Sequence, residues 1–267
     1  MRLWVAVLAL IAGLGATIAA DSIPATGGNI ELTAIGHAHV QIEHAGKVIQ
    51  IDPTPMGDLS KAKPADLILI TDIHGDHLSA PSVEKLKKAG TVVVGPKSVA
   101  DMLPGTMVIA NGETRTFAGV MVEAVPMYNL TRGPSEGQLF HTKGRGDGFI
   151  LTLGGKRIYF SGDTECIPEI KALKNIDVAF MTMNLPFTMP PSEAADCVKA
   201  FKPKIVYPYH YRQQGIDAEK NAQDFAAAMK GTAGVEVRMM SFYAAQPAGA
   251  APAGGGGGGR QGGGRAN

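Results

Sequence analysis

Leu67-Ile68-Leu69-Ile70-Thr71-Asp72-Ile73-His74-Gly75-Asp76-His77 is the stretch on which the reading of this chain turns. Four apolar residues in a row, bounded by polar ones, fit a buried strand. Directly after them, four side chains able to bind a metal fall within six residues. A rigid strand opening into a short His/Asp loop suits a metal site, because the loop is held from behind and faces solvent. A plain polar turn asks for less than two His and two Asp interleaved with a Gly.

Such a site needs partners from elsewhere in the chain. The seven His are 37, 39, 44, 74, 77, 141 and 210. His141 leads into a glycine-containing loop before the apolar run Phe149-Ile150-Leu151. Asp163 lies in Ser161-Gly162-Asp163-Thr164, just after the strand-like Arg157-Ile158-Tyr159-Phe160, and His210 follows Ile205-Val206-Tyr207-Pro208. Each therefore flanks a predicted strand, which is how ligands far apart in sequence reach one rim of a sheet. Taken singly, a His beside a strand is more often an ordinary core or surface residue; the set as a whole is what carries weight.

The ends separate from the body. Met1-Arg2, the apolar run from Leu3 to Ala20 and the small residues Ile18-Ala19-Ala20 read as a secretory signal, residues 1–20, with a mature start near Asp21. An uncleaved anchor is the alternative. No later stretch is long and apolar enough to span a membrane. From Ala244 onward the chain is mostly Ala, Pro and Gly, with ten of the 34 Gly and with Arg260 and Arg265, so residues 244–267 read as a flexible tail. The body, residues 21–243, has room for one core and one domain. Setting aside Arg2, Arg260 and Arg265 leaves 22 basic against 24 acidic residues, which offers no basic field for nucleic acid. Cys166 and Cys197 would meet an oxidising space after export; the sequence leaves open whether they pair. Helical spacing marks residues 81–89, 192–201 and 218–229, and strand-like runs lie at 30–35, 40–43, 47–52, 65–71, 91–95, 120–125 and 178–183. Composition and pattern alone give α/β or α+β.

The xHxDH loop, His141, the Gly-Asp-Thr after a strand and the late His210 together resemble the metallo-β-lactamase superfamily. Gly36-His37-Ala38, Ile51-Asp52-Pro53, Val125-Pro126-Met127-Tyr128-Asn129 and Pro208-Tyr209-His210-Tyr211 resemble its branch of small metal-dependent hydrolases that includes the ascorbate-phosphate lactonases. The resemblance implies a four-layer αββα sandwich with metals at one sheet edge. It implies two adjacent ions, one held by Asp72, His74 and His141, the other by Asp76, His77 and His210, with Asp163 bridging. Relatives have His where this chain has Asp72. A carboxylate there admits manganese or iron beside zinc, and lowers the net charge of the centre, making its water less acidic. Relatives often carry Asp where this chain has Pro190. His37, Asp52 and Asn129 are expected to support the ligands or touch substrate; His39 and His44 read as structural.

The expected function is that of a periplasmic or secreted metal-dependent hydrolase. A zinc-bound hydroxide, with Asp76 beside it, would attack an ester, lactone or phosphodiester centre of a small molecule. The polar residues Asn129, Arg132, Gln138, Lys143 and Arg145 in the expected pocket loop hint at an anionic group. No Ser-His-Asp or Cys-His constellation competes. The alternative is a metal-binding protein of the same fold without catalysis. Neither substrate nor oligomeric state is readable.

Overall fold

The computed structural model describes residues 20–212 and 218–243. The expected signal, apart from Ala20, and the expected tail lie outside the described residues. The first half of the chain is β1 (Ala20–Ile23), β2 (Ile30–Gly36), β3 (His39–His44), β4 (Lys47–Ile51), β5 (Ala65–Leu69), α1 (Ala80–Leu86), β6 (Lys87–Gly95), α2 (Lys97–Met102) and β7 (Met107–Val108). The second is β8 (Thr114–Phe117), β9 (Val120–Met127), β10 (Gly146–Leu153), β11 (Lys156–Phe160), α3 (Pro168–Lys171), β12 (Val178–Thr182), α4 (Pro191–Phe201), β13 (Ile205–Tyr209), α5 (Ala218–Met229) and β14 (Glu236–Val237).

Each half makes one seven-stranded sheet in simple sequential order. In both, the first four strands run antiparallel and the last three are added in parallel: β4 to β5 to β6 to β7, and β11 to β12 to β13 to β14. Parallel strands need crossovers, so their carboxyl ends share one edge and their loops gather there.

Alternation along β5 and its exit shows the layering. Leu67 and Leu69 join the core between the sheets, while Ile68 and Ile70 face a smaller cluster with Val83, Leu86 and Val99 of α1 and α2. On the far side, Ala194, Ala195, Val198 and Phe201 of α4 and Ala222 and Phe225 of α5 cover the second sheet. The result is the αββα sandwich.

Three details differ from, or complete, the sequence reading. Helix α1 stops at Leu86 rather than Ala89. Thr91 Oγ1 accepts the Lys88 N–H at 2.8 Å and donates to Ala65 O at 2.6 Å, and Lys87 pairs with Ala65, so this segment is drawn into β6. Ala20, set aside with the signal, pairs with Thr33 in β1. Asp21 beside it accepts the Tyr207 hydroxyl at 2.5 Å and Arg238 Nη1 at 3.0 Å, tying the first strand to the second sheet. Cys166 and Cys197 form a disulfide that fixes the loop after Asp163 to α4.

One buried acid makes the fold's stability pH-dependent. Asp147 in β10 is 1% exposed and its Oδ2 has no hydrogen-bond partner among the described residues. Burial, with Glu113 adding to it, pushes its carboxyl up to about 7. A native pKa above the unfolded value means that the folded state holds the proton more tightly. Its ionisation therefore costs stability as pH rises through 7, and the cost vanishes toward pH 4. Asp147→Asn should be more stable than the parent at pH 8 by on the order of 4 kcal/mol, with the gap narrowing by more than half at pH 5 and closing toward pH 4. Urea unfolding at both pH values checks this; a difference that does not change with pH would refute it.

Candidate metal centre

The carboxyl ends of β4, β5, β11 and β13 deliver the chemistry. Asp52 follows β4, the loop from Asp72 to His77 follows β5, Asp163 follows β11 and His210 follows β13. His141 comes from the loop before β10. Two glycines let these ends close together. Gly162 has φ +59°, and a Cβ there would meet Met127 Sδ at 2.4 Å and Thr71 Cβ at 3.2 Å. At Gly146 a Cβ would lie 2.9 Å from Thr71 O. Next to it, the Asp147 N–H donates to Thr71 O at 3.0 Å, joining the two sheets by a backbone bond beside the site.

The seven residues expected as ligands come together in two groups. Asp76, His77, Asp163 and His210 form one, and Asp72, His74 and His141 the other; within each, the donor atoms lie within 4.8 Å of one another. Asp163 joins the groups: its Oδ2 is 3.3 Å from His77 Nε2 and 3.2 Å from His141 Nε2. The opening lies over His74 and Asp76, whose side chains are 42% and 28% exposed, whereas Asp72, His77, His141, Asp163 and His210 are buried.

Four of these buried atoms have no hydrogen-bond partner among the described residues: His77 Nε2, His141 Nε2, Asp163 Oδ1 and His210 Nδ1. Leaving a buried polar atom unsatisfied costs about 1–3 kcal/mol. Four converging nitrogen and oxygen lone pairs are what a divalent cation would take up, so the donor set fits a metal.

Hydrogen bonds fix which nitrogen each ring presents. His77 Nδ1–H donates to Asp52 Oδ2 at 2.8 Å, which leaves the Nε2 lone pair facing Asp163. Asp52 is itself held by the Thr71 N–H and hydroxyl, each at 2.7 Å. His141 Nδ1–H donates to Asn129 Oδ1 at 2.7 Å, and Asn129 Nδ2 donates to Glu165 and to Phe187 O. His37 sits behind Asp76. Arg212 N–H donates to the Tyr243 hydroxyl, which donates to His37 Nδ1 at 3.0 Å, and His37 Nε2–H donates to Asp76 Oδ2 at 3.1 Å. His37, Asp52 and Asn129, read from sequence as supporting or substrate-touching, thus all contact residues of the two groups. His39 bonds Gln50 and His44 bonds Asn29 O, both away from the site.

Charge is balanced inside the cluster. Burial alone would raise Asp163, but His210, His77 and His141 hold its carboxyl well below the usual range. Burial would lower His77, but Asp163, Asp52 and Asp76 together raise it well above the usual imidazole value, so a binding cation would have to displace the proton from Nε2. Burial and the neighbouring His210 push His37 down to about 4, against the pull of Asp76.

The residue that the sequence reading undervalued is Arg145. It belongs to the loop expected to receive an anionic group, but its guanidinium points inward onto Asp72, with Nε to Oδ1 at 3.1 Å and Nη2 to Oδ2 at 2.9 Å. Arg132 pairs with Glu165 and Glu193, and Lys143 with Glu169. With Asn129 spent on His141, four of the five polar residues that hinted at an anionic substrate are engaged within the protein. Sequence does not show which acids face those bases.

A domain-family model described as a β-lactamase superfamily domain matches residues 31–210. The UPF0173 metal-dependent hydrolase of Pelotomaculum thermopropionicum is 32% identical over 225 residues, covering 79% of this chain and 97% of the relative. Among solved structures, a Parabacteroides distasonis protein described as a metal-dependent hydrolase superposes with a TM-score of 0.75 at 35% identity, over 84% of this chain and 99% of that one. The metallo-β-lactamase fold protein YhfI of Bacillus subtilis superposes at 0.63 with 11% identity, over 79% and 96% of the two chains, and shows the fold alone.

The orienting bonds can be tested directly. Partners of ligating His are worth about 10–100-fold in metal affinity. Asp52→Asn, which still suits the positive φ of 48° at that position, and Asn129→Ala should each weaken zinc binding by about that factor, measured by chelator competition, with an unchanged circular dichroism spectrum. Parent-like affinity in both variants would mean that neither His77 nor His141 binds the ion.

Proposed function

The chain belongs to the UPF0173 metal-dependent hydrolases of the metallo-β-lactamase superfamily, and from that premise we propose that it uses zinc to open a lactone or a related ester outside the cytoplasm. The observation that carries the metal chemistry is the convergence of four buried, unpartnered donor atoms where the two sheets close. A divalent ion held there would supply Lewis-acid chemistry, lowering the pKa of a bound water and polarising the oxygen that gains charge.

The chain's own residues do the rest. Asp76 is the part-exposed carboxylate of its group, and its Oδ2 is fixed by hydrogen bonds from His37 Nε2 and His210 Nε2 at 3.1 and 3.2 Å. Burial would raise its pKa, but the charge of His77 and the bonds from His210 and His37 hold it well below the usual range. It is therefore ionised at neutral pH and able to accept a hydrogen bond from the attacking water, holding that water in line. Asp52 and Asn129 keep the two rings from turning.

The loops around the opening favour a neutral substrate with an apolar flank. Arg132 and Arg145 are paired with acids inside the protein and Lys143 with Glu169 at the surface, whereas Leu130 and Phe187 remain 48% and 43% exposed. Phe187 packs edge to face on Phe140 at 5.0 Å, and the two residues offer their carbonyls to Asn129 and Arg145. The resemblance to the ascorbate-phosphate lactonase branch supports a lactone as the bond cleaved; the apolar rings favour a carbon substituent over a phosphate. Export is supported by the apolar run before Ala20 and by the disulfide, which suits an oxidising compartment.

Protein purified without added metal should contain a tightly bound transition metal and hydrolyse apolar lactones and esters faster than phosphodiesters or β-lactams. A preference for phosphorylated substrates would overturn the substrate proposal. Loss of activity on chelation, restored by zinc, is the expected control. Mass spectrometry of the protein expressed in a Gram-negative host should show a mature chain beginning near Asp21; a soluble cytosolic chain retaining Met1 would refute export.

A further inference from the structure

Asp72 and Arg145 make a pair that the hydrolase reading does not by itself explain. Arg145 grips both oxygens of a fully buried carboxylate. Its Nη1 donates to Phe140 O at 2.8 Å, its own carbonyl accepts the Ser98 hydroxyl at 2.6 Å, and its N–H bonds Thr142 O. The guanidinium is thus anchored at both ends, in the way a bidentate fork fixes a carboxylate.

We propose that Arg145 turns Asp72 into a charge-neutral metal ligand, so that Asp72, His74 and His141 hold a second divalent ion beside the one among Asp76, His77, Asp163 and His210, and that Arg145 sets how tightly that second ion is held. This rests on the metal-dependent hydrolase reading. Three observations carry it. The fork uses one lone pair on each Asp72 oxygen, and a carboxylate oxygen has two. Oδ2 also lies 2.9 Å from His74 Nδ1 and 3.9 Å from His141 Nε2, and Arg145 Nη2 lies 3.5 Å from His74 Nε2, so both members of the pair touch the group that would hold the ion. Next, His141 Nε2 is buried and without a hydrogen-bond partner, while Nδ1 is locked by Asn129; an electron pair is aimed into this group. Finally, the guanidinium charge cancels that of Asp72. The pair presents an oxygen donor with the net charge of an imidazole, so the lower charge expected from a bare carboxylate at position 72 does not arise.

This gives a signature in metal binding itself. The guanidinium opposes the second ion and Asp72 attracts it, so removing either alone unbalances the group, in opposite directions. The chelator-stripped full-length protein would be titrated with zinc in four forms: the parent, Arg145→Met, Asp72→His and the double variant. The parent should take two equivalents. Arg145→Met should bind the second equivalent about tenfold more tightly, and Asp72→His about tenfold more weakly, because its imidazole leaves the guanidinium unpaired beside the ion. The double variant should return close to the parent, with the first equivalent unchanged throughout. That return is the non-additivity expected of groups that act on one another.

An Asp72→His protein that binds the second ion as tightly as the double variant would overturn the proposal, as would an Arg145→Met protein with unchanged or weaker second-ion binding. A parent that takes one equivalent would overturn it while leaving the hydrolase reading intact, since the pair would then be excluding the second ion. A parent that takes none would overturn both.

Discussion

The structure depends on burying ionisable groups of opposite sign in one place. Asp52, Asp72 and Asp163 are at most 3% exposed, and so are His77, His141 and His210. Isolated, each such carboxylate would be costly to remove from water. Here each has a partner: Asp52 has His77 and Thr71, Asp72 has Arg145 and His74, and Asp163 has three imidazoles around it. The sheets can meet tightly at this edge only because these charges are matched. The small residues Gly146 and Gly162, and the backbone bond from Asp147 to Thr71, are the steric side of the same closure.

The same edge holds backbone strain. His37, Asp52 and His210 all sit in the left-handed region, at φ 54°, 48° and 49°. For residues with a Cβ this costs on the order of 1 kcal/mol each. The conformation turns the chain sharply at a strand's end and swings the side chain over the rim. The hydrogen bonds that hold each residue, from Tyr243 to His37, from Thr71 to Asp52 and from His210 to Asp76, over-determine the arrangement. A rigid sheet thereby places loop residues with the accuracy that metal geometry demands.

How much of this was legible in the sequence follows from locality. The strand before Asp72, the Gly-Asp-Thr after β11 and the position of His210 after β13 are local patterns, and the structure brings those residues together. The supporting positions Asp52 and Asn129 were legible as candidates, because a ligating imidazole commonly needs an outer partner. Arg145 was visible only as one more base in a polar loop. Its pairing with Asp72 spans 73 positions, and nothing local reports it. The disulfide, across 31 positions, is non-local in the same way. The end of α1 was misplaced because Lys87 and Lys88 suit a helix by propensity, while pairing with Ala65 and the Thr91 hydroxyl win in the fold. The left-handed turns leave no trace in composition, because none of the three is a glycine.

The repeated strand pattern of the two halves has a consequence for how the molecule holds together. Each half ends in parallel strands whose loops carry only part of the donor set: Asp76 and His77 come from the first, Asp163 and His210 from the second. Neither half supplies a whole group by itself. A cation that engages all four is a rivet across the seam, and its binding free energy becomes cohesion between the halves. Ion occupancy and the opening of that seam are then linked equilibria. Metal availability would then set the lifetime of the closed sandwich as well as its chemistry.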